Sequence, residues 1–194
     1  MKNKSLWIVL GIVAVVLIWG ISAYNGLVSK EERVSSAWAN VESVYQRRAD
    51  LIPNLVNTVK GYAAHESQTL MEVTEARAKS TAISVDPSTA TPEQMEAWMR
   101  AQSEVGSALG RLIAISENYP DLKANQNFLE LQKQLEGTEN RISTERRKYN
   151  EEVRSYNVKL RRFPTNIIAS MFGFEKRVMF ESQEGAEMAP VVEF

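Results

Sequence analysis

The chain has 194 residues, with 23 Lys and Arg against 24 Asp and Glu, one histidine and no cysteine. This excludes disulfides, thiolate catalysis and cysteine-ligated zinc, and a near-neutral charge argues against nucleic acid as a partner. Residues 1–30 hold three lysines and no acid, so the remainder carries 20 basic and 24 acidic residues, a mildly acidic body long enough for one domain.

The first predicted element is the uncharged run from Leu6 to Tyr24, LWIVLGIVAVVLIWGISAY. As a helix rising ~1.5 Å per residue it is just long enough to cross a ~30 Å hydrocarbon core. Trp7, Trp19 and Tyr24 stand near its ends, where amphipathic rings favour the membrane interface. A cleaved signal peptide would have a shorter apolar core and a small-x-small site. Ser22-Ala23-Tyr24 fits that poorly, and no cysteine follows to carry a lipid. The expectation is a single-pass anchor over residues 1–29. Lys2 and Lys4 lie closer to the run than Lys30 and Arg33, which places the N-terminus in the cytoplasm and exports the body.

Beyond the anchor, Val34, Trp38, Val41, Tyr45, Arg48, Ile52, Leu55, Val59 and Tyr62 recur in alternating steps of four and three. That rhythm is the seam of a packed helix. Only Pro53 and Gly61 interrupt residues 30–82, so the spacing predicts one long helix of about 55 residues with a kink near Asp50. Residues 83–90 read as a loop. Thr91-Pro92-Glu93-Gln94 then opens a helix with a capping residue, a proline at the first helical position and Gln94 three residues on. Its seam runs through Met95, Trp98, Gln102, Val105, Leu109 and Leu112, and Glu117-Asn118-Tyr119-Pro120 ends it.

Leu122 opens a third helix of about 40 residues. Phe128, Leu131, Leu135, Thr138, Ile142, Tyr149, Val153, Tyr156, Leu160 and Phe163 form its seam, with Glu145 or Arg146 filling the gap, and Pro164 stops it. The predicted fold class is therefore all-α. An N-terminal transmembrane helix continues into an antiparallel up-and-down bundle of three to four long helices over residues 30–163. Residues 164–180 are strongly apolar but too short to span a bilayer. They read as a strap over the bundle or as an interfacial segment. Residues 181–194 form an acidic tail ending Val191-Val192-Glu193-Phe194. Val192, Phe194 and the free carboxylate would suit strand addition to a PDZ-type domain, or would tuck onto the protein's own surface.

Two clusters qualify as sites. Arg47, Arg48, Asp50 and Asn54 gather around Pro53, and Arg48 falls on the seam, where a charge needs a partner; Glu66, Glu117, Glu139 and Glu145 are the possible ones. The cluster is either a register-fixing polar network or a partner-binding notch. Asn118, Asn125, Asn140, Asn150 and Asn157 are many amides for helices, given the weak helix propensity of Asn. Asn150 and Asn157 share a face, as do Tyr149 and Tyr156. They read as interhelical hydrogen bonds, oligomer register or a lateral Tyr–Asn interface. His65 stands without an HExxH motif or acidic cage, and no phosphate loop or nucleophile elbow occurs, so neither metal, cofactor nor catalysis is expected.

Several ordered blocks resemble the LemA family of bacterial membrane proteins: Gln46 to Val56, Val59 to Glu66, Glu117 to Asn125, Gly137 to Ile142, and Tyr149-Asn150 through Tyr156-Asn157 to Phe163-Pro164. The resemblance implies a membrane-anchored antiparallel bundle without established enzymatic activity, among envelope proteins some of which are associated with magnetosome membranes. The expected function is a scaffold or interaction protein of the bacterial envelope. Its expected partners are the lipid bilayer, other envelope proteins and further copies of itself. The alternative is a regulatory or sensor subunit controlling a membrane enzyme such as a protease.

Overall fold

The computed structural model describes residues 2–180, with side chains from Leu6 onward. Val192, Phe194 and the rest of the tail lie outside these residues. Six helices follow one another: α1 Lys2–Lys60, α2 Ser67–Ala82, α3 Pro92–Ser116, α4 Pro120–Lys123, α5 Gln126–Arg161 and α6 Thr165–Met171. Four are long, and they run up and down as an antiparallel bundle. Along α1 and α5 the pairs Gly26–Lys159, Trp38–Tyr149 and Arg48–Glu139 meet in opposite chain order, and Tyr62–Asn125 continues the series just past their ends.

The long first helix of the sequence reading is two helices. α1 stops at Lys60, and Val59 O accepts from the amides of both Tyr62 and Ala63 before the chain reverses. Gly61 weakens a helix by roughly 1 kcal/mol, and the reversal adds a larger gain. Leu70, Val73 and Ala76 of α2 fold back into the same core as Ile52, Leu55 and Val59. A straight continuation would leave them without a facing helix. Ala63, fully buried, takes the seam position expected for Tyr62, which is 44% exposed. At the other boundaries, Thr91 and Gln94 form a reciprocal capping box with Pro92 inside the first turn. α4 is a single turn set apart from α5, so Asn125 caps α5, accepting from Phe128 N at 3.0 Å, while its amide donates across to the Tyr62 hydroxyl at 2.8 Å. Phe163 is 81% exposed, because α5 ends at Arg161 before the seam reaches it.

α1 runs through Pro53 without a break. The missing N–H leaves the Ala49 carbonyl without its helical donor. Arg77, on α2, supplies one: its Nε donates to Ala49 O at 2.7 Å. The defect in one helix is thus closed by the next.

The core has two main lobes and a small third cluster of Leu27, Ile168 and Ala169. The lobe away from the N-terminus is mostly aliphatic and is built from α1, α2, α3, α4 and α5. The nearer lobe is aromatic, with Trp38, Tyr45, Trp98, Tyr149, Tyr156 and Phe180. Residues 164–180 lie along the nearer lobe. α6 packs on α1 through Ile168 and Ala169, and Gly173, at φ 72°, turns the chain into an extended run to Phe180. A side chain at Gly173 would disfavour that left-handed turn. Residues 6–18 of α1 project beyond the bundle with their apolar side chains exposed. α1 is the one helix, among the described residues, long and apolar enough to cross a membrane.

The Arg77 contact yields a test. Arg77→Ala should lower thermal stability by about 1–2 kcal/mol with Pro53 in place, and by much less in a Pro53→Ala background, where the new N–H serves Ala49 itself. Equal losses in the two backgrounds would show that Arg77 does not serve the freed carbonyl.

Candidate functional site

Arg48 lies between the two core lobes, on the α1 seam between Tyr45 and Ile52. Its guanidinium donates to Glu139 Oε1 at 3.0 Å, to Gln102 O at 2.9 Å and to Gln102 Oε1 at 2.7 Å. It also stands 5.0 Å from the centre of the Tyr45 ring. Glu139 comes from α5 between Leu135 and Ile142, and Gln102 from α3 between Trp98 and Val105. One polar layer therefore joins α1, α3 and α5 where aliphatic packing gives way to aromatic packing. The pair is asymmetric: the Arg48 side chain is 4% exposed and Glu139 46%. Losing Glu139 strands a buried cation, whereas losing Arg48 frees a carboxylate that water already reaches. Burial raises the pKa of Tyr45, and the neighbouring charges of Arg146 and Arg48 pull it back.

The other residues of the kink cluster do not join this layer. Arg47, Asp50 and Asn54 face solvent, and Asp50 accepts from Gln46 at 2.8 Å. Of the other candidate carboxylates, Glu66 accepts from the Tyr119 hydroxyl at 2.9 Å, Glu117 pairs with Lys123, and Glu145 pairs with Lys148 at 2.8 Å. Asn118 and Asn140 are exposed. A shallow notch of about 180 Å³ opens beside Arg48, with Glu42, Gln46, Ser80 and Ser84 in its wall.

The second cluster has a more specific geometry. Asn157 donates Nδ2 to Arg177 O at 2.9 Å and accepts from Arg177 N at 3.0 Å. Asn150 does the same to Phe180, at 2.9 and 2.8 Å. Between them the Tyr149 hydroxyl donates to Val178 O at 3.0 Å. Each asparagine thus acts as a short stretch of neighbouring β-strand, meeting one residue's N–H and C=O together. The spacing explains why two can act in concert. Seven helical residues rise ~10.5 Å, and three extended residues cover ~10 Å.

Side chains complete the seat. The Phe180 ring stacks on Trp38 at 5.8 Å and meets Tyr149 at 5.1 Å and Trp98 at 6.0 Å, with the Arg146 guanidinium 4.9 Å from its centre. Arg177 reaches past Tyr156 to pair with Glu31 of α1 and to donate to Ser88 O in the 83–91 loop. The sequence placed Gln102 on the α3 seam and Phe180 in the apolar strap without giving either a site role, and did not single out Arg177 or Arg77. Arg177 is one of three adjacent charges, Glu175-Lys176-Arg177, within the apolar strap, and nothing local sets it apart from Lys176. Burial pushes the Tyr149 hydroxyl up to about 12 and also raises that of Tyr156.

The three aromatics expected to sit at a membrane interface are placed unequally. Trp7 is 72% exposed and Tyr24 37%, whereas Trp19 is partly covered by α6. Among the described residues no group of three or more His, Asp or Glu is arranged to hold a metal ion.

The sequence model of the LemA family matches residues 37–194. The chain is 28% identical over 186 residues to the magnetosome protein MamQ of Magnetospirillum gryphiswaldense, covering 87% of this chain and 68% of that protein. It is 27% identical, with the same coverage, to magnetosome protein MamQ 1 of Paramagnetospirillum magneticum. Protein LemA of Metamycoplasma hominis is 27% identical over 160 residues, covering 82% of this chain and 69% of the relative.

The asparagine clamps predict a local opening. Asn157→Ala should accelerate amide exchange at Arg177 by roughly 10-fold or more, as expected for losing two hydrogen bonds of about 1 kcal/mol each. Exchange in α3 should stay unchanged; a uniform rise across the bundle would mean that the clamp has no separate existence. Alkali should act on the same contact. Below pH 10 Tyr149 is protonated whether folded or unfolded. Between about pH 10 and 12 only the folded chain keeps the proton, so stability falls with rising pH through that window. Tyr149→Phe should flatten that fall in a pH series of melting temperatures.

Proposed function

The chain belongs to the LemA family, and on that footing we propose that it is a membrane-anchored scaffold of the bacterial envelope that organises other envelope proteins and copies of itself. The observation that carries the proposal is the continuity of α1. One 59-residue helix has an unpartnered apolar end and, from Leu27 onward, forms the spine of a rigid bundle. Exposed apolar side chains from Leu6 to Ile18 are costly in water and suit a hydrocarbon core, in a single pass. With Lys2 and Lys4 on the short side, the proposed orientation keeps the N-terminus in the cytoplasm and the bundle outside.

The shape of the body supports scaffolding over chemistry. Its polar side chains are used structurally, in a layer between core lobes and in clamps on the backbone. The long outer faces of α2, α3 and α5 are charged and accessible. The similarity to proteins named for the magnetosome adds a precedent for work at a membrane compartment.

The proposal is checked with a membrane-impermeant amine-reactive cross-linker applied to cells whose outer membrane, where present, has been opened. Lysines of the body such as Lys60, Lys79 and Lys133 should link to further copies and to several envelope proteins, and the complex should stay large in mild detergent. Linkage only after the inner membrane is breached would reverse the orientation. Co-purification in fixed stoichiometry with one membrane enzyme would replace the scaffold by a regulatory subunit.

A further inference from the structure

α6 brings the chain back to α1 at the level where the apolar run ends. Ile168 and Ala169 are buried against Leu27, with Trp19 and Ala23 beside them. A methyl group on Gly20 would lie 3.8 Å from Ile168 Cδ1. The Phe172 and Phe174 rings meet Tyr24 edge-on at 4.9 and 5.6 Å. The inner face of this short segment is thus accounted for by α1.

Its outer face is also apolar. Phe163 is 81% exposed, Met171 71% and Ile167 48%, and Phe172, with one edge on Tyr24, is still 59% exposed. The stretch of α1 that receives α6 also carries exposed apolar side chains, with Ile18 and Ile21 67% and 62% exposed. Four large exposed apolar groups in and flanking one seven-residue helix form a contiguous patch of the kind that marks an interaction or membrane site.

Next to this patch lies an open groove of about 630 Å³, whose charged lining is Lys30, Arg154, Lys159, Arg162 and Glu151. The Lys159 ammonium lies over Gly26, just past Tyr24, in space a side chain would fill. Lys30 approaches Glu152 at 4.0 Å. Counting both acids, the basic charges remain in excess. An apolar patch directly below a basic groove is the arrangement that an anionic amphiphile fits.

We propose that α6 and this groove form a second membrane contact: Phe163, Ile167, Met171 and Phe172 enter the interfacial region beside α1, and Lys159, Arg162, Arg154 and Lys30 hold the phosphate of an anionic phospholipid. The inference rests on α1 spanning the bilayer. Residues 19–24 cover ~7.5 Å of helix, which places α6 within the ~5–10 Å depth at which interfacial helices lie. The charge and the apolar face act together. Attraction at the surface requires the basic groups within a Debye length of the headgroups, and α6 holds them there.

The chain has no native cysteine, so single cysteines can carry an environment-sensitive fluorophore. Full-length Val13→Cys, Ile167→Cys and Ala64→Cys proteins, so labelled, are reconstituted into phosphatidylcholine vesicles with and without phosphatidylglycerol. The Ile167 label should be quenched by lipids spin-labelled near the headgroup, the Val13 label by lipids spin-labelled deep in the chain, and the Ala64 label by neither. Purified protein should retain phosphatidylglycerol over phosphatidylcholine by roughly fivefold per engaged basic residue. Lys159→Gln with Arg162→Gln should lower that ratio by roughly 25-fold without changing the melting temperature. A quenched Val13 label beside an unquenched Ile167 label would leave the span standing and overturn the α6 contact. An unquenched Val13 label would overturn the span itself. Equal retention of the two lipids by the unaltered protein would overturn the headgroup site.

Discussion

A backbone amide or carbonyl withdrawn from water has to meet a partner, and the main departures from simple helix packing in this protein follow from that requirement. Pro53 removes one donor from α1, and Arg77 crosses from α2 to serve the carbonyl left behind. Residues 177–180 run extended over a helical surface, where the described residues offer no strand edge. Asn150 and Asn157 therefore present side-chain amides in place of one. The apolar end of α1 meets the same demand internally, since a helix satisfies its own ladder even in hydrocarbon.

The layer of Arg48, Glu139 and Gln102 has a different role. Apolar packing is tolerant of sliding, because aliphatic side chains attract without direction. A buried guanidinium with three defined acceptors is not. Placed between an aliphatic and an aromatic lobe, it makes any other vertical alignment of α1, α3 and α5 costly, since a shift by one turn would separate the charge from its acceptors.

How much of this could be read from the chain depended on the range of the interaction involved. Thr91, Pro92 and Gln94 act on each other within one turn, and the helix start they form was legible. The seam from Val34 to Val59 was legible because burial repeats with the helix period. The break after Lys60 was not, because the heptad rhythm continues through Gly61 and only the return of Leu70 and Val73 to the same core makes the reversal favourable. The kink cluster read as one site because Arg47, Arg48, Asp50 and Asn54 are close in sequence. The helix turns only Arg48 inward, and which of four carboxylates it meets is set by the pairing of α1 with α5. Asn150 and Asn157 showed their shared face but not their occupant, since an amide aimed at a neighbouring helix and one aimed at an extended segment have the same spacing. Arg77 carried no local signal, as its acceptor is created by a proline on another helix.

The uninterrupted course of α1 has a mechanical consequence. If residues 6–24 span the bilayer, about 36 further residues of the same helix project from it, a rigid arm of ~54 Å. Transmembrane helices tilt to match the thickness of the bilayer around them. A 10° change in that tilt would swing the turn at residues 61–66 by about 9 Å, and the bundle fixed to the arm would swing with it. A small variation in membrane thickness or curvature would thereby be converted into a displacement large enough to make or break contact with a neighbouring protein.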